Sequence, residues 1–64
     1  MLKFERITFD QNVKGGKACI RGMRLTVALV VNLVANGMNA AEIIEAYPYL
    51  EPADIRQALR FAAC

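Results

Sequence analysis

The chain has 64 residues, eight of them Lys or Arg and six Asp or Glu, with no histidine and two cysteines. That length makes one domain that hides only a marginal share of its surface on folding, so a partner or a second copy is often needed. Without histidine, and with Cys19 and Cys64 at opposite ends, neither a metal site nor a disulfide framework is expected, and no cofactor.

No secretory leader is evident, and the longest apolar run, Leu25 to Ala35 with Asn32 inside it, falls short of the roughly 20 residues that span a bilayer. A cytoplasmic protein without membrane contact, its thiols reduced, is the expectation. Catalysis is not expected either. The chain has no serine, no histidine to activate Cys19 and no evident carboxylate pair.

Charge is unevenly placed. Residues 1–24 carry Lys3, Arg6, Lys14, Lys17, Arg21 and Arg24 against Glu5 and Asp10, whereas residues 25–64 carry Arg56 and Arg60 against Glu42, Glu45, Glu51 and Asp54. A basic arm therefore precedes a mildly acidic half.

In chain order, Phe4 to Phe9 favours an extended strand, closed by Asp10, Gln11 and Asn12. Gly15 and Gly16 permit a tight turn, Lys17 to Ile20 returns as a second strand, and Gly22 breaks it. A first helix is predicted from Val27 to about Asn36, with Thr26 as its N-cap and Gly37 as its terminator. Ala28, Asn32, Ala35 and Asn36 make one narrow small or polar stripe on it, and large aliphatic side chains cover the rest of its circumference. A helix so apolar must be covered on more than one side. The expected remedy is a homodimer with Val27, Val30, Val31 and Val34 at its interface, the arm contributing.

Two short helices follow. Asn39 and Glu42 form a capping box, Met38 and Ile43 a staple, and Pro48 stops the second helix at Tyr47. Pro52 suits the first position of a third helix, Asp54 complements its dipole, Leu50 staples onto Ile55, and Ile55, Ala58, Leu59 and Ala62 form its buried stripe. The expected fold is mainly α: a short N-terminal β arm or hairpin over residues 1–25, then a three-helix helix-turn-helix module over 26–64, in one folding unit.

On the third helix, Ala53, Arg56, Gln57 and Arg60 face away from Ile55 and Leu59 and are the candidate DNA contacts. The plainer reading is a solvated helix face. Glu51 and Asp54 sit at the end that enters a major groove in this motif, where carboxylates repel phosphate unless turned aside. Lys14, Lys17, Arg21 and Arg24 are candidates for phosphate or an acidic partner, against the plainer reading of positive charge guarding an edge strand. Gly15-Gly16-Lys17 lacks the spacing of a phosphate-binding loop, and Tyr47 and Tyr49 are expected to plug a helix corner.

The ordered series Ile7-Thr8-Phe9-Asp10, Gly15-Gly16-Lys17, Ile20-Arg21-Gly22, Arg24-Leu25 and Val27, Gly37-Met38-Asn39, Glu42-Ile43, Tyr47-Pro48, Leu50, Asp54-Ile55 and Ala58-Leu59 resembles the short prokaryotic domain-of-unknown-function family numbered 433. The chain departs from that family's pattern at Gln11 and Ala18, commonly proline, at Met23, commonly threonine, and at Glu51, commonly a serine or threonine cap. What the resemblance implies is a homeodomain-like module behind a small β arm, and an antitoxin-like component of a type II toxin–antitoxin pair. Its expected partners are a PIN-like ribonuclease toxin, whose acidic active site would meet the arm, and double-stranded operator DNA, bound as an autorepressor through the third helix. The alternative is a protein-interaction or homo-oligomerisation module whose helix-turn-helix does not bind DNA.

Overall fold

The structure, a computed structural model, describes residues 4–64. Residues 1–3 of the expected arm, Lys3 among them, lie outside the described residues. The order is β1 (Ile7–Thr8), a single 3-10 turn (Lys14–Gly16), β2 (Cys19–Ile20), α1 (Val27–Ala35), α2 (Ala40–Ala46) and α3 (Pro52–Ala63). This is the expected hairpin followed by three helices. The strands pair antiparallel, Ile7 opposite Ile20 and Thr8 opposite Cys19.

Both strands are shorter than the apolar runs suggest, for local reasons. The Ile7 N–H donates to the Phe4 carbonyl at 3.0 Å, which curls the start of the run into a turn. Beyond Thr8, the Asp10 side chain accepts the Asn12 N–H at 2.9 Å and its carbonyl accepts the Val13 N–H, so the chain leaves the ladder.

Gly22 does more than end β2. Arg21 and Gly22 hold φ of +45° and +73°, and the Met23 N–H closes onto the Ile20 carbonyl at 2.8 Å, the pattern of a primed hairpin turn. The chain folds straight back, and Ile20 N–H to Leu25 O and Val27 N–H to Ala18 O extend the pairing to a bridge between Cys19 and Thr26. Thr26 is therefore both the end of the arm and the cap of α1, its Oγ1 accepting the Leu29 N–H at 3.1 Å.

Helix ends follow the sequence signals. At the end of α1, Gly37 takes φ +93°, while the Gly37 and Met38 N–H groups bond the Val34 and Leu33 carbonyls, a Schellman closure. Both halves of the Asn39–Glu42 capping box form, at 2.9 and 3.0 Å, and Tyr47 leaves the helical region before Pro48. Pro52 opens α3.

One core serves arm and helices alike: Ile7, Ile20, Leu25, Val27, Val30, Ile43, Leu50, Ile55 and Ala58 are buried together. At the far end of α3, Phe4 packs edge-on against Phe61 with ring centroids 5.3 Å apart.

Burial corrects the expected dimer interface at Val27 and Val30. Val27 and Val30 lie in the chain's own core, and Val31 and Val34 are half-buried against it. The physical reason is the turned-back arm, which brings the buried pair Cys19 and Ile20 against the helices and supplies cover that α2 and α3 alone do not give. What α1 leaves exposed is the small stripe, Ala28, Asn32 and Ala35.

Gly22 is the residue whose conformation admits the return. A Cβ built there meets nothing within 4 Å, so the cost of Gly22→Ala is backbone strain alone, about 1–2 kcal/mol. We expect a lowered urea midpoint with an unchanged denaturant slope; an unaltered midpoint would show that the turn does not need glycine.

Candidate functional site

Asp54 stands at the third position of α3 and is fully buried. Its Oδ2 accepts the Glu51 N–H at 2.9 Å, satisfying one donor at the start of the helix. The helix is thus capped from inside, by Asp54 reaching back, and the Glu51 side chain is free to turn to the arm.

Two arginines of the arm close on that carboxylate. Arg6 Nη1 donates to Oδ1 at 2.9 Å and also to Glu51 Oε1 at 2.7 Å. Arg21 addresses both carboxylate oxygens, Nε to Oδ1 at 3.1 Å and Nη2 to Oδ2 at 3.0 Å, in the forked geometry that suits guanidinium to carboxylate. A further bond from Arg21 Nη2 reaches the Tyr49 carbonyl at 2.7 Å, and the Arg6 backbone N–H donates to Gln57 Oε1 at 2.6 Å. These contacts make a clasp that ties β1, the hairpin turn, the α2–α3 connection and α3 together.

The electrostatics follow from the geometry. Burial pushes the Asp54 carboxyl up, but the bonds from Arg21, the Glu51 N–H and Arg6 outweigh it and hold the group below the ordinary carboxylate value. Arg6 is held above the usual guanidinium value, by Glu51 first and Asp54 second. No buried side-chain polar atom among the described residues lacks a hydrogen-bond partner.

The clasp sorts the residues singled out in the sequence. Arg21, expected with Lys14, Lys17 and Arg24 to face a partner, is committed to Asp54 and Tyr49. Lys14, Lys17 and Arg24 are exposed and make no ion pair among the described residues. Lys14 heads a left-handed run with Gly15 and Gly16, at φ +52°, +64° and +86°. On α3, Arg56 and Arg60 are exposed one turn apart and Ala53 is half-buried. Gln57 turns to the arm, its carbonyl taken by Arg6, and so leaves the outer face where the sequence had put it.

What the sequence did not reveal is Asp54 as a junction. An acidic residue at this position reads as a partner for the helix dipole, and nothing in local spacing says that it points inward. The one available signal was Arg21 beside Gly22, a charged residue at a site that wants positive φ.

Two apolar recesses border α1. A groove of about 500 Å³ runs between the arm, α1 and the end of α3, with Lys17, Ala18, Ala28, Val31, Asn32 and Phe61 among its walls. A cleft of about 410 Å³ lies among Met23, Arg24, Leu25, Leu29, Tyr47 and Tyr49. Tyr47 packs as a plug, edge-on to Tyr49 at 6.2 Å, while Tyr49 is 53% exposed. No group of three metal-ligating side chains occurs among the described residues, and no helix among them is long and apolar enough to cross a membrane.

A family model described as a protein of unknown function, DUF433, matches residues 7–62. The chain belongs to the DUF433 family. No curated protein and no solved structure matches it. In this DUF433 chain segments that carry the resemblance converge in space: Ile20, Arg21 and Leu25 from the arm meet Tyr47, Leu50, Asp54 and Ile55 at the clasp and the core beneath it. Glu51, at the entrance of α3, makes its side-chain bond to Arg6.

The depressed Asp54 carboxyl gives the fold a signed pH dependence. Its folded-state pKa lies below the unfolded value of about 3.9, so it adds stability above that pH and loses it as pH falls through the folded value. Urea midpoints measured from neutral to strongly acid pH should drop below about pH 4. Asp54→Asn should be less stable at neutral pH and have a shallower acid slope, by up to about one proton. An equal slope in the variant would remove Asp54 from the account.

Proposed function

We propose that this DUF433 chain is the antitoxin-like half of a toxin–antitoxin pair, a homodimer that captures a PIN-like ribonuclease through its arm. The observation that carries the reading is the division of labour among the arm's cations. Arg6 and Arg21 are spent inside the clasp, while Lys14, Lys17 and Arg24 stand exposed on the same arm. Cations without an ion pair among the described residues suit a partner whose active site is lined with carboxylates, because complementary charge steers the encounter and fixes its register. Arg24 also borders the cleft of Tyr47, Tyr49 and Met23, residue types enriched at the centres of protein interfaces.

The test is to look beside its gene for a small nuclease with an acidic active site and to co-express the two. Lys14→Glu/Lys17→Glu/Arg24→Glu should stay folded and lose co-purification of the nuclease, while Arg56→Ala/Arg60→Ala should keep it. Retention by the triple variant would overturn the assignment of the arm.

A second reading, operator binding as an autorepressor, gains from one observation. The two carboxylates at the entrance of α3 are matched by Arg6 and Arg21, so the repulsion expected of Glu51 and Asp54 toward phosphate is largely cancelled. Arg56 and Arg60 would then be the contacts, with Glu42 and Glu45 still exposed on α2 as a local penalty. In a salt series with DNA from upstream of its own operon, Arg56→Ala/Arg60→Ala should weaken binding and reduce the log–log salt slope by about 2. Absence of any shift by the unaltered chain at low salt would favour the module that does not bind DNA.

A further inference from the structure

The larger recess lies between the arm, α1 and the end of α3, and of the cations assigned to nuclease capture only Lys17 stands on its wall. Among its lining residues only Lys17 is charged, and no residue of α1 is charged from Val27 to Ala35. Phe9, 63% exposed with its ring 5.9 Å from that of Phe61, continues the apolar surface at one end. Along the groove runs the exposed stripe of α1, of which Ala28 and Asn32 are themselves walls. Ridge and groove therefore lie side by side on one face, an arrangement that a two-fold axis makes self-complementary.

We propose that two copies of the chain meet on this face, α1 against α1, about a two-fold axis at Asn32. The polar chemistry selects a second copy over a foreign protein. The exposed Asn32 carboxamide makes no hydrogen bond among the described residues, whereas Asn36, on the same stripe, turns its Nδ2 back onto the Asn32 backbone oxygen. A carboxamide is donor and acceptor at once, so across a two-fold axis it is its own complement, as a charged side chain is not. With Asn36 tied back to its own helix, Asn32 is the asparagine left to fix the register of the pair in an otherwise small and apolar seam. Ala28 and Ala35 on either side let the helix axes approach closely. A stable interface hides about 800 Å² per partner, close to a fifth of this chain's 4295 Å². The stripe is too narrow for that, so the seam takes in Phe9 and Phe61. The cleft at Tyr47 and Tyr49, on the Leu29 side of α1, stays open for another occupant.

The seam rests on the dimeric part of the functional reading, yet it is measured on the isolated chain. It can therefore fail while nuclease capture stands, and the reverse. Sedimentation equilibrium of the full chain at micromolar concentration should give twice its 7.1 kDa. Asn32→Asp, nearly the same shape but placing two carboxylates on the axis, should weaken the dimer by about tenfold or more while leaving the far-UV circular dichroism unchanged. Ala41→Asp, on the exposed side of α2, should leave the dimer intact. With Cys64→Ser in the background, Asn32→Cys should cross-link to its twin on oxidation, since only residues beside the axis bring like Cα atoms within about 7 Å. A single 7.1 kDa species in the unaltered chain, or a dimer indifferent to Asn32→Asp and not cross-linked through Asn32→Cys, would overturn the proposal.

Discussion

A carboxylate taken out of water is the constraint on which this small fold depends. An unpaired buried charge costs several kcal/mol, and a chain of this length has a total stability of about 3–10 kcal/mol. Asp54 is tolerated because Arg6, Arg21 and the Glu51 N–H leave neither oxygen unmatched. The requirement is asymmetric. Arg6 and Arg21 keep 28% and 37% of their side-chain surface exposed and would regain water if Asp54 were lost, whereas Asp54 has no solvent to fall back on. The arm is therefore held to α3 by the needs of one group more than by its two-residue strands, which could not persist alone.

Arg21 illustrates how such a contact is aimed. A non-glycine residue at φ +45° costs about 1–2 kcal/mol, and asparagine or glycine would sit there more easily. Only a long forked side chain, however, reaches from the turn to Asp54 and to the Tyr49 carbonyl together. Backbone strain at the turn is offset by a charge pair and by the fixing of the α2–α3 connection.

Much of the scaffold was legible in the residues, because helix ends are written locally. Thr26, Gly37, the Asn39–Glu42 box and Pro52 each act within one turn, and each stands where its chemistry placed it. The strands were overread, since apolar Phe4 and Phe9 look like ladder residues but leave the ladder to gather around Phe61. The clasp was not legible at all. Its partners are separated by 33 and 48 positions and share no period, so nothing short of the fold brings them together. The same distance hid the bonds that Gln57 and Arg21 make within the clasp. It also made the valines of α1 look surplus when the turned-back arm covers Val27 and Val30.

The span between Arg6 and Asp54 bears on how the protein comes into being. A ribosome delivers the arm first, yet the residue that secures it appears 48 positions later, after all of α1 and α2. During synthesis, the helices can wind on local cues while the nascent front end remains tethered only at the hairpin. Docking waits for the start of α3, which makes the finishing of the fold a late, non-local event in an otherwise locally organised chain.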